Sequence, residues 1–145
     1  MYKHTQNSSL MKGVALTSLL GAILVAYVAK QFIVSCPLVI VALGMYLGFR
    51  NLTVEVDDMS IRIRFGIGWI KKEFRLEDII SAEVVRNCWM YGWGVRNIGN
   101  GWLYNVAGLD AVELELKSGK RARIGTDEPQ ALTSEISQRL EGVKK

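Results

Sequence analysis

The sequence predicts an α+β protein: an N-terminal transmembrane helical hairpin, then a strongly bent antiparallel sheet or partly open barrel closed by one C-terminal helix. Three observations carry this expectation. Uncharged apolar residues fill Gly13–Ala29 and Phe32–Phe49. From Leu52 the apolar pattern changes to a period of two, as in strands with one wet face. After Thr126 it changes again, to one apolar residue in every four. The expected organisation is a polar tail over residues 1–12, a two-helix hairpin over 13–50 and one cytoplasmic domain over 51–145.

Composition agrees with a small domain joined to something that avoids water. Half of the 145 residues are hydrophobic and 22% are charged, too many charges for a bare membrane bundle and too few for a disordered chain. Two cysteines and one histidine exclude a disulfide-stapled scaffold and a structural zinc site of the usual four ligands. No metal or cofactor is expected. All fourteen acids lie between Glu55 and Glu141, whereas Met1 to Phe49 carries only Lys3, Lys12 and Lys30. Residues 50–145 hold fifteen Lys and Arg against those fourteen acids, so the basic excess belongs to the membrane flank. A nucleic-acid partner would require clustered excess charge in the folded part and is not expected.

The two apolar runs are 17 and 18 residues long, which at ~1.5 Å per residue reach roughly 25–27 Å, the short end of spanning length. Lys12 and Arg50 can extend that reach by snorkelling. Lys30-Gln31 makes the connection, with Ser35 as a cap and Pro37 in the first turn of the second helix. Neither run has a polar face on the helical period, as a soluble core helix would. Tyr27-Val28-Ala29 lacks a small-x-small cleavage pattern, so the first run reads as a retained anchor. One Lys in the connection against Lys3, Lys12, Arg50, Arg62 and Arg64 on the flanks places both termini in the cytoplasm. Cys36 and Cys88 then lie apart, as unpaired thiols. Gly44 and Gly48 form a small-xxx-small pair that suits helix packing in the membrane, either within the hairpin or between two copies of the chain.

In the cytoplasmic part, Thr53 to Val56 and Ile61 to Phe65 alternate around an Asp57-Asp58 turn. Further strands are expected at Trp69–Arg75, Ile80–Val85, Trp93–Ile98, Trp102–Val106, Ala111–Leu116 and Ala122–Ile124, punctuated by glycines. The expected connectivity is an antiparallel meander. Thr126 or Asp127 caps the last helix, Pro129 falls in its first turn, and Leu132, Ile136 and Leu140 form its apolar stripe.

The residues Gly92-Trp-Gly-Val-Arg96, Gly101-Trp-Leu-Tyr-Asn-Val106, Gly108, Ala111-Val-Glu113, Gly119 and Arg123-Ile-Gly-Thr-Asp-Glu-Pro129 resemble the signature of small bacterial membrane-anchored PH-like domain proteins. That resemblance covers roughly Ile61 to Leu140 and implies a pleckstrin-homology superfold at the cytoplasmic membrane of a bacterium. It implies little chemistry, since such proteins are mostly of undefined function.

No catalytic constellation is visible. His4, the single histidine, falls in the expected polar tail; Asp57-Asp58 and Glu113/Glu115 sit at a turn and on a solvated face. An enzyme is therefore not expected. Inositol-phosphate-binding PH domains use a basic-x-basic pair that Arg62-x-Arg64 matches, although Val56-Asp57-Asp58 occupies the position of their first-strand cation. Lys71, Lys72 and Arg75 extend the basic surface toward anionic lipid headgroups. Trp93, Arg96 and Trp102 mark either a recognition patch or the aromatic filling of a small barrel. The expected role is a non-enzymatic interaction module at the inner membrane face that contacts the bilayer and a protein partner or a second copy of itself. The alternative is sensing of anionic headgroups.

Overall fold

The first strand, β1 (Tyr2–Asn7), and the strand after the apolar helices, β2 (Asn51–Val56), pair antiparallel from Tyr2 opposite Val56 down to Asn7 opposite Asn51. Between them lie α1 (Ser9–Ala29) and α2 (Phe32–Phe49), so the helical pair takes the place of a hairpin turn. The structure is a computed structural model and describes residues 2–29 and 32–143. The expected connection at Lys30-Gln31 lies outside the described residues.

The expected polar tail is thus corrected: residues 2–7 are a strand, and α1 starts at Ser9. Ser8 is fully buried at the junction. Its backbone N–H donates to the Arg50 carbonyl at 2.8 Å. Its hydroxyl donates to the Val106 carbonyl at 2.7 Å and accepts the Met11 N–H at 3.2 Å, which is an N-cap. One short side chain thereby joins the end of β1, the start of α1 and the loop after β7.

Among the described residues, Ser9–Val28 is the one helix long and apolar enough to cross a membrane, by length and composition; Cys36–Phe49 is a shorter apolar stretch. The two helices run in opposite directions, with Ala15 and Leu19 sharing a gap with Ala42 and Leu43, and Ala22 and Ala26 sharing one with Cys36 and Val39. Because α2 begins at Phe32, Pro37 lies inside it instead of in its first turn.

Beyond β2 come β3 (Ser60–Phe65), β4 (Ile70–Arg75), β5 (Ile79–Arg86), β6 (Gly94–Asn97), β7 (Gly101–Asn105), β8 (Asp110–Leu116), β9 (Arg121–Gly125) and α3 (Pro129–Val143). They form a four-stranded sheet, β1-β2-β3-β4, and a five-stranded sheet, β5-β8-β9-β7-β6. Each of the expected strands is present. The meander holds for the first sheet and is corrected in the second, where β5 pairs with β8 instead of β6, and β9 inserts between β8 and β7 and runs parallel to β7.

Glycine makes that close seam. A Cβ on Gly101 would lie 1.8 Å from the Arg121 carbonyl oxygen, and one on Gly125 would lie 2.2 Å from Asn105 Oδ1. Asn105 in turn shapes the loop after β7 by donating to the Gly108 carbonyl at 3.0 Å and accepting the Ala107 N–H at 3.2 Å.

The core lies between the two sheets, with Leu52, Val54, Ile61, Ile63 and Phe65 from one and Tyr104, Val112, Leu114 and Ile124 from the other. Leu132, Ile136 and Leu140 of α3 are buried against it as expected. Phe49, the last residue of α2, enters this core edge-on to Phe65, with ring centroids 5.8 Å apart.

Because β1 and β2 are already paired, a short β-turn substituted for residues 9–49 is expected to leave a water-soluble folded domain. Residues 51–145 alone, which lack β1, are expected to melt at a clearly lower temperature. Thermal unfolding followed by circular dichroism compares the two; equal melting temperatures would contradict the pairing.

Candidate functional site

The outward face of the first sheet is organised in two transverse rows set by strand register. The row farther from the helices reads Lys3, Glu55, Arg62, Glu73, an alternation of charge that neutralises itself. Lys3 Nζ lies 2.9 Å from Glu55 Oε1, and Arg62 is paired with Asp57. The Lys3 hydrogen bond, together with the charges of Lys3, Arg64 and Arg62, holds the Glu55 carboxyl below its ordinary range against the opposing cost of burial. The other acid of that turn, Asp58, pairs with Arg139 of α3.

The row nearer the helices reads Thr5, Thr53, Arg64, Lys71. It contains two cations and no acid, and Glu55 is 3.9 Å from Arg64. Both rows line an open concavity of about 430 Å³. The two cationic stems flank Gly68, where a Cβ would sit 3.1 Å from Lys71 Cε and 3.2 Å from Arg64 Cδ. Lys72 stands opposite Ile63, with the other parity of β4, and its Nζ is 6.0 Å from the Phe74 ring centre. Of the expected basic surface, Arg64 and Lys71 are therefore brought together. Arg62 and Lys72 line the same concavity, Arg62 with its charge paired to Asp57 and Lys72 from the other register of β4.

The turn between β3 and β4 presses on the end of α2. Gly66 has φ +49°, and a Cβ on it would lie 1.9 Å from the Leu47 carbonyl oxygen. The Ile67 N–H donates to that same carbonyl at 3.2 Å. Gly44 and Gly48, expected to seat a helix, instead face the Trp69 indole, which would lie 4.0 and 3.5 Å from a Cβ at those positions. Sequence reasoning placed Trp69 only as the start of a strand. Its available signal was a large aromatic in a glycine-bracketed turn.

Trp93 and Arg96 line a second concavity of about 230 Å³ together with Met11, Met45 and Phe49 of the helical pair. Arg96 Nε donates to the Trp93 carbonyl at 3.2 Å. Trp102 does not join them. It pairs with Asn97 while Arg96 pairs with Leu103, which puts Trp102 and Arg96 on opposite faces of the sheet. It also lies three residues, about 10 Å, back along β7 from Asn105 and the helices. The expected patch of Trp93, Arg96 and Trp102 is thus split. Trp89 and Met90 stand exposed on a 3-10 turn that precedes Trp93, next to Cys88, which like Cys36 is exposed and unpaired.

His4 is also relocated by β1. Its Nε2 lies 2.6 Å from Asp127 Oδ1 and its Nδ1 3.5 Å from Glu128 Oε2, just before α3. Tyr2 stacks on His4 at 6.4 Å and donates to Glu128 at 3.5 Å. Burial, then the charge of Glu128, pushes the Tyr2 hydroxyl up to about 12. This cluster fastens β1 to the start of α3. Among the described residues, no group of three or more His, Cys, Asp or Glu is placed to hold a metal ion.

No family model matches the chain, and no curated protein matches it.

Gly66→Ala is expected to destabilise the protein by well over the ~1–2 kcal/mol of a left-handed residue alone, because the Leu47 carbonyl occupies the space a Cβ needs. Chemical unfolding of purified protein measures the loss. A change below ~0.5 kcal/mol, the ordinary effect of a surface substitution, would mean that the turn does not press on α2.

Proposed function

We propose that α1 and α2 cross the cytoplasmic membrane of a bacterium as a hairpin, with both termini in the cytoplasm, and present a PH-like module whose role is contact rather than chemistry. A protein partner or a second copy of the chain is the expected ligand. The observation that carries this reading is the β1–β2 pairing around the helical insertion. A chain that leaves through α1 must return through α2, because Ser8 and Arg50 are hydrogen-bonded neighbours. Leu16, Leu20, Ile23, Leu24, Ile40 and Val41 all stand exposed on the pair, and a surface of that kind is stable in lipid but not in water. Lys12, Arg50, Arg64 and Lys71 cluster at its base, which favours the cytoplasmic side for the domain. The two-sheet core closed by α3 supports the PH-like reading, from which the parallel β7–β9 seam departs.

A second reading, anionic headgroup binding, is favoured by the unbalanced row that holds Arg64 and Lys71. At ~1 kcal/mol per basic residue near an anionic surface, the pair supplies roughly a thirty-fold preference.

With Cys36 replaced by Ser, the exposed thiol of Cys88 reports the side of the domain. An impermeant maleimide is expected to leave it unlabelled in intact cells and to label it in inverted membrane vesicles. Crosslinking in the same cells is expected to recover one partner or a homo-oligomer in fixed ratio. Labelling in intact cells contradicts the orientation, and a solely monomeric crosslinking result contradicts the interaction role. For the second reading, reversing both charges with Arg64→Glu and Lys71→Glu in the soluble version described above is expected to abolish salt-sensitive binding to anionic liposomes. Unchanged binding rules it out.

A further inference from the structure

We propose that the indoles of Trp69 and Trp93 are seated in the interfacial layer of the bilayer, so that two loops from different sheets clamp the domain against the membrane on either side of α2. This rests on the reading of α1 and α2 as membrane helices and adds what that reading leaves open, namely how the domain is held relative to the lipid.

Depth along α2 is the first support. Trp69 reaches Gly44 and Gly48, and Gly44 lies six residues before Arg50, ~9 Å along the helix axis at 1.5 Å per residue. An α2 that crosses the bilayer therefore carries its level of Trp69 into the headgroup and upper acyl region. Trp93 reaches a comparable level, lining one concavity with Met45 and Phe49 of α2 and Met11 of α1. Positions 44 and 48 differ from 45 and 49 by one residue, about 100° around a helix, so the two indoles flank α2 on different faces.

Exposure is the second. Trp69 is 65% and Ile67 50% exposed, although both belong to a turn packed on an apolar helix. Trp93 retains 37%. An indole that is apolar in body and polar at its N–H is the side chain most suited to that layer.

Charge is the third. Arg64 and Lys71 flank Gly68 in the Trp69 turn, and the Arg96 guanidinium lies beside Gly92, next to Trp93. Each aromatic loop thus carries cations where anionic headgroups would meet it. Trp102, about 10 Å back along β7 from the helices and on the face opposite Arg96, serves as an internal control.

The test uses the full chain in proteoliposomes containing lipids brominated high on the acyl chain. Three variants keep only Trp69, Trp93 or Trp102, the remaining tryptophans being replaced by Phe. A fourth, tryptophan-free except for Leu19→Trp, reports the middle of α1. Trp69 and Trp93 are expected to lose most of their emission to bromolipid and to be blue-shifted, whereas Trp102 is expected to be quenched by iodide in the aqueous phase instead. Either indole behaving like Trp102 while Leu19→Trp is quenched by bromolipid overturns the proposal and leaves the membrane helices standing. Leu19→Trp unquenched by bromolipid overturns the spanning reading, and the proposal with it. Should the multiple replacements fail to fold, removing one tryptophan at a time from the wild-type chain reads the same quantity, as loss of the bromolipid-sensitive fraction.

Discussion

The structure depends on one backbone constraint, the antiparallel ladder that β1 and β2 form on either side of the helical pair. A hairpin normally closes through a few turn residues; here the ladder stays closed although the chain between its two ends is forty-three residues long, from Ser8 to Arg50. The entropy of closing a long connection rises only slowly with its length, and α1 and α2 reduce it further by packing against each other and returning the chain to its starting point. Ser8 completes the seam, because its amide and hydroxyl satisfy groups from three separate segments in a place water does not reach. Leaving such groups unpaired would cost on the order of 1–3 kcal/mol each.

From this seam the rest of the arrangement follows. With α2 ending directly at β2, Phe49 is drawn into the core and the β3–β4 turn meets the last turns of the helix. Glycine permits the approach of that turn at Gly66, and separately that of β9 to β7 at Gly101 and Gly125, where carbonyl or amide oxygens occupy the space of a side chain. Helices and sheets are consequently one packed unit instead of a domain on a tether. The charge pattern inherits the same geometry: distance from the helices sorts the outer face of the first sheet into a self-neutral row and a cationic row, a distinction invisible in the linear order Arg62, Ile63, Arg64.

Much of the architecture was legible because burial leaves a period. Ile61, Ile63 and Phe65 alternate, Leu132, Ile136 and Leu140 recur every fourth residue, and the apolar helices announce themselves by length. What stayed hidden depends on partners far away in sequence. Tyr2–Asn7 has almost no apolar alternation, and its pairing comes from Asn51–Val56 across the helices; with it went His4, read as free and found beside Asp127. The parallel β7–β9 seam was hidden because alternation gives a strand's faces and not its direction. Gly44 and Gly48 were read as a seat for a helix, whereas the neighbour they face is the Trp69 indole, at ordinary contact distance. For the candidate site, Arg64 and Lys71 were identified together, whereas Arg96 and Trp102 were separated by a parity that only the β6–β7 register defines.

The most direct measurement of the central constraint is a disulfide across the ladder. Thr5 and Thr53 hold their hydroxyl oxygens 3.0 Å apart, and cysteines at both positions, with Cys36 and Cys88 replaced by Ser, should close under mild oxidation in membranes to a species of altered mobility on non-reducing gels. Near-complete intramolecular closure is the result the seam requires. Thiols that remain free and alkylatable under the same oxidation would show that the strand before the helices and the strand after them are not neighbours.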